Sequence, residues 1–162
     1  MSTLLVCWAL LVGLLSQQPV PSSDGSTKAV TATSSTAAST ASTQLDFEFF
    51  KTKVQPIFLA KRPGHARCVA CHAAPQASGF QLQPLAHGRT TWNEEESRKN
   101  FAAVRAVVVP GDLRSPLLVH PLAESAGGDF YHSGGKHFNS QEDPEWLTLK
   151  AWVLGQAANG RQ

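Results

Sequence analysis

The chain has 162 residues, enough for one domain and a tail, and its first 44 residues are a poor place for that domain. Residues 45–162 hold 13 Lys+Arg against 11 Asp+Glu, a net charge of +2. So small an excess, with no basic run, argues against a nucleic-acid partner.

In chain order, residues 4–15 form an apolar run interrupted by Gly13. It is shorter than the ~20 residues that cross a bilayer and suits the apolar core of a secretory signal. No Lys or Arg precedes it and no clean small-x-small cleavage site follows. Residues 1–20 are therefore expected to be a signal peptide or an N-terminal anchor. Residues 21–44 are rich in Ser, Thr and Ala, with Asp24 and Lys28 the only charges. Such a stretch cannot bury enough apolar surface to offset its ordering entropy, so it is read as a disordered tether or spacer. Residues 45–162 remain as the folded domain.

A first helix is expected over Asp46–Ala60, because Phe47, Phe50, Val54 and Phe58 recur on one helical face. Pro56 should kink or end its first part. A second helix should begin near Thr91, which forms a capping box with Glu94, and run through Phe101, Val104 and Val107 to Pro110-Gly111. The last helix should start at Asp143-Pro144-Glu145, turn Trp146, Leu149, Trp152 and Val153 inward, and end at Gly155. No run alternates as an amphipathic strand does. The fold class is all-α.

The chemistry sits in Cys68-Val69-Ala70-Cys71-His72, the attachment pattern of c-type haem. Two thiols add across the two porphyrin vinyl groups, and the two-residue spacer matches the distance between those vinyls. His72 then falls beneath the iron as an axial ligand. Attachment of this kind is made outside the cytoplasm, in accord with the apolar leader. Cys7, the third cysteine, lies within that leader. Two rivals stand beside one covalent haem c. A redox CxxC would want a βαβ unit, and none is visible. A zinc site would want a second pair of ligands, which His132 and His137 could supply.

A sixth ligand from methionine is excluded within the domain, since Met1 is the only methionine. His65 lies on the wrong side of the attachment loop, His87 falls in a loop without special context, and His120 reads as a core-edge histidine bonded to backbone. The Gly-rich stretch 127–138 carries His132 and His137 with Phe130, Tyr131 and Phe138, and its glycines let backbone approach a flat cofactor. His132 is the first candidate for the distal position and His137 the second.

These residues resemble the planctomycete-type cytochrome c domains. Phe50 to His72, with Val54-Gln55-Pro56-Ile57-Phe58 leading into CxxCH, is similar to their first helix. Ser78-Gly79-Phe80-Gln81-Leu82 is similar to the stretch after their haem site. Pro110-Gly111-Asp112 followed by Ser115-Pro116-Leu117-Leu118, and the helix Pro144 to Val153, complete the likeness over about residues 46–155. The resemblance implies a small cytochrome c-like fold around one haem and electron transfer to redox partner proteins, not catalysis. It places His132 where the family's ligand methionine stands, while the leader and the attachment chemistry lead us to expect a periplasmic or otherwise extracytoplasmic setting with possible membrane tethering through the N-terminus. The rival functions are a haem enzyme or gas sensor with an open sixth site, and a zinc-binding module.

Overall fold

The computed structural model describes residues 44–156; the expected leader and nearly all of the tether lie outside them. The element order is α1 (Phe47–Phe49), a π-helical segment (Phe50–Val54), α2 (Gln55–Leu59), α3 (Cys68–His72), α4 (Glu94–Arg105), α5 (Pro116–Val119), a 3₁₀ turn (Glu124–Ala126) and α6 (Pro144–Val153). No strand occurs among the described residues, and one isolated bridge joins Leu122 and Phe138. None of their helices is long and apolar enough to cross a membrane.

The first helix runs from Phe47 to Leu59 without the break expected at Pro56. Asp46 caps it, accepting from the Phe49 amide at 2.7 Å. Proline has no N–H and its ring crowds the carbonyl four residues back. Here the preceding turn is widened into π geometry, with the Gln55 amide bonded to Phe50 five residues earlier. The chain thus absorbs Pro56 and keeps Phe50, Val54, Ile57 and Phe58 on one buried face.

Phe50 is the hub of the core. Its ring meets Trp152 at 5.2 Å, Phe101 at 5.4 Å and Phe58 at 6.2 Å. Full burial of such a side chain contributes about 1.5–3 kcal/mol. Trp152 and Trp146 also satisfy their indole N–H groups, on the Asp46 and Leu118 carbonyls. The N-terminal and C-terminal helices are joined at these contacts.

The second long helix starts two residues later than expected. Its cap is Asn93, whose side chain accepts from the Glu96 amide while Glu96 accepts from the Asn93 amide, each at 2.8 Å. Thr91 stays outside because Trp92 is buried against the core and donates its indole N–H to Gln83. A buried polar pair carries α4 to the first helix: Gln55 donates to Ser97 and accepts from Asn100. Asn100 in turn accepts from the Gln83 amide at 2.7 Å.

Pro110-Gly111-Asp112 is a turn locked at both ends. The Gly111 amide donates to Val153 at 2.8 Å, and Asp112 accepts from Arg114 and Ser115. Gly111 adopts φ 81°, a region open to glycine at little cost. α6 begins as expected, with Asp143 accepting from the Glu145 and Trp146 amides.

Candidate functional site

Helix α3 places Cys68, Cys71 and His72 at i, i+3 and i+4, hence on one face. Val69 anchors this short helix by its burial in the core. Cys68 is half-buried, Cys71 is exposed, and both thiols are free. Burial pushes the Cys68 thiol up, and the neighbouring Arg62 guanidinium partly offsets it. No strand flanks the pair among the described residues, so the βαβ setting of a redox CxxC is not formed.

His72 is fixed from two sides by one residue. Its Nδ1 lies 2.9 Å from the Phe80 carbonyl oxygen, and its ring stacks on the Phe80 ring at 4.1 Å with 8° between planes. A carbonyl only accepts, so Nδ1 carries the proton and Nε2 keeps the lone pair. Burial holds His72 below the usual histidine range, with the Phe80 carbonyl working against that shift. The Leu82 amide donates to the His72 carbonyl at 2.8 Å, which closes the Ser78–Leu82 stretch over the ring.

His132 faces it from the Gly-rich loop. Its Nδ1 lies 2.7 Å from the Gly135 carbonyl oxygen, so its Nε2 also keeps a lone pair. The two ring centres are 6.3 Å apart with 20° between planes. His137 is buried, and its Nδ1 has no hydrogen-bond partner. Burial pushes His137 down to about 4, helped by His65, Arg62 and His132, with the Gly134 backbone opposing.

Cys68, Cys71, His72, His132 and His137 all border one cavity of about 780 Å³. Its remaining wall is largely apolar, with Ile57, Phe58, Leu117, Phe138 and Leu149 among its members. Two glycines let the loop reach it. A Cβ on Gly128 would stand 2.0 Å from the Leu122 carbonyl oxygen. One on Gly134 would stand 3.3 Å from His132 Cε1 and 3.6 Å from His137 Nε2.

The other histidines divide. His87 is exposed and does not border the cavity. His120 does border it, but its ring bonds the Asp129 carboxylate and not backbone as expected. His65, expected on the wrong side of the attachment loop, packs its ring 5.0 Å from His137. The fold returns residues 130–137 over the attachment loop, which sequence distance does not reveal. Sequence reasoning gave no ring-orienting role to Phe80 and none that set Gly134 apart from the other loop glycines. A backbone carbonyl such as that of Phe80 carries no sequence pattern, and the glycine-rich pattern does not single out Gly134.

Comparisons with family models, curated proteins and solved structures found no match to this chain. The site is therefore weighed on its own chemistry.

The donor set and the cavity fit a haem. The volume lies within the 300–1,000 Å³ typical of cofactor sites. His72 and His132 both border that cavity, with ring centres 6.3 Å apart and 20° between planes. Zinc fits less well: among the described residues no three His, Cys, Asp or Glu side chains gather as a metal-ion site.

Proposed function

We propose that this chain is a c-type cytochrome that holds one haem through Cys68 and Cys71, with His72 and His132 as axial ligands. It passes electrons between redox partner proteins outside the cytoplasm. The observation that carries the reading is the facing pair His72 and His132, each with Nδ1 on a backbone carbonyl and Nε2 left to bind. Such outer hydrogen bonds fix the tautomer and ring orientation of a metal-binding histidine and raise its basicity.

The bound haem supplies one-electron chemistry. The chain's residues supply the rest. Phe80 and Gly135 hold the two imidazoles in place. Two nitrogen ligands favour a lower potential than the Met/His pair of many cytochromes. The apolar wall of Ile57, Phe58, Leu117 and Leu149 limits water around the site and so tunes the potential further. No substrate is required.

The test is the full chain expressed with export and haem-attachment machinery, followed by its reduced and oxidised spectra. A covalently coloured, low-spin protein that loses covalent haem in Cys68→Ala/Cys71→Ala supports the reading. A colourless product refutes it. A high-spin wild type refutes bis-His ligation and turns attention to a ligand-binding or catalytic haem.

A further inference from the structure

Reduction of a haem removes one positive charge from the cavity that holds it, and any side chain on the wall that can change charge responds. Among the described residues that border the cavity there is no Lys, Arg, Asp or Glu, which leaves its cysteines and histidines. With one haem in place, Cys68 and Cys71 are used up as thioethers, and His72 and His132 are held by the iron. Burial pushes His137 down to about 4, so its ring stays neutral near neutral pH. His120 is what remains, and imidazole is the side chain suited to changing charge between pH 5 and 8.

The fold arranges His120 for that task. Its Nδ1 bonds the Asp129 carboxylate, which only accepts, so Nδ1 carries a proton and Nε2 is where a second is gained or lost. The side chain is 49% exposed, which gives that proton a route to water. Asp129 is brought to the ring by the loop itself. Its amide donates to Val119 at 2.9 Å, and Gly128 before it lies so close to Leu122 that a Cβ would strike the carbonyl oxygen. Lys136 then ties the two residues together, donating to the His120 carbonyl at 3.0 Å and to the Asp129 carbonyl. Among the described residues, Asp129 and Lys136 are the charged groups that meet His120. Helix α5, which His120 follows, is Pro-Leu-Leu-Val and adds none.

Resting on the bis-His reading, we propose that His120 and Asp129 form a redox-linked proton site, so that the domain takes up a proton together with its electron. On reduction, one electron passes from the donor protein to the iron and a proton is drawn from water onto His120 Nε2; oxidation returns both. With two neutral imidazoles as axial ligands, the iron and porphyrin together bear one positive charge when oxidised and none when reduced. An imidazolium on the cavity wall is repelled in the first state and not in the second, across a wall too apolar to screen the charges as water does.

The experiment uses holoprotein of the wild type, His120→Gln and Asp129→Asn. Their midpoint potentials are measured from pH 5 to 8, and the His120 Cε1–H proton resonance is titrated in both oxidation states of the wild type. The wild-type potential should fall as the pH rises, and the resonance should titrate at higher pH in the reduced protein, since linkage makes the two effects reciprocal. His120→Gln should flatten the potential. Asp129→Asn should move its bend to lower pH, because the carboxylate favours the charged ring. Visible spectra of each sample report the spin state. A His120→Gln that keeps the wild-type slope overturns the proposal and assigns the proton to a haem propionate. Equal titration midpoints in the two oxidation states overturn it without recourse to any variant. A low-spin wild type whose potential ignores pH overturns it and leaves the bis-His reading intact. A high-spin wild type overturns both.

Discussion

The rings of His72 and His132 face each other at 6.3 Å, although 60 positions separate them in the chain and each is oriented by a different backbone carbonyl. Of the two, His72 is the more firmly held, because Phe80 offers it a carbonyl and an aromatic face together. Phe80→Ala keeps the carbonyl and removes the face. An aromatic pair of this kind contributes about 0.5–1.5 kcal/mol beyond its area, and Phe80 also packs on Phe58 at 5.6 Å. The variant should lose about 1–2 kcal/mol in urea unfolding, with a shifted reduction potential. Unchanged stability and potential would show that the carbonyl alone orients the ring.

The loop glycines should separate fold from site. Gly128→Ala drives a Cβ into the Leu122 carbonyl, a backbone atom that cannot step aside, so about 3 kcal/mol or more should be lost. Gly134→Ala meets only side chains, His132 first, and these can give by tenths of an ångström. It should cost about 1 kcal/mol while perturbing the spectrum of the bound group. Thermal melts and visible spectra of the two variants check the pair. A spectrally silent Gly134→Ala would argue against His132 as a ligand.

The parts legible in sequence were those governed by local pattern. Spacing alone marks Cys68, Cys71 and His72 as one helical face, and Asp143-Pro144 opens α6 because cap and first-turn preferences act within four residues. The first helix was legible in extent but not in form. Pro56 has several remedies, and choosing the π turn depends on keeping Phe50 and Val54 against Trp152 and the rest of the core. The start of α4 was misplaced because Thr91/Glu94 and Asn93/Glu96 both read as capping boxes, and burial of Trp92 decides between them. The meeting of His65 with His137 was not legible, since 72 positions separate them and only the return of the distal loop unites them.

That choice of cap is testable. Asn93→Ala removes the acceptor for the Glu96 amide and should cost about 1 kcal/mol. Thr91→Ala, at an exposed residue outside the helix, should change stability by less than about 0.5 kcal/mol. Paired urea titrations settle it, and equal losses at the two positions would mean that the box is not where the stability lies.

The pH dependence of stability follows from His137. Its folded-state value of about 4 lies below the roughly 6.5 of an unfolded histidine, so the unfolded chain binds the proton more readily. The contribution of its neutral ring is complete above about pH 6.5 and is lost as the pH falls toward 4, at most about 3 kcal/mol in all. His137→Phe keeps the ring volume and removes the titration, so urea midpoints measured at intervals from pH 7 to 4.5 should fall less steeply in the variant. Because the phenyl ring also replaces an unpartnered Nδ1, the variant should match or exceed wild type at pH 7. A variant that acidifies with the wild-type slope would mean that His137 takes up its proton without penalty, and that the ring is open to water rather than enclosed beside His65 and Arg62.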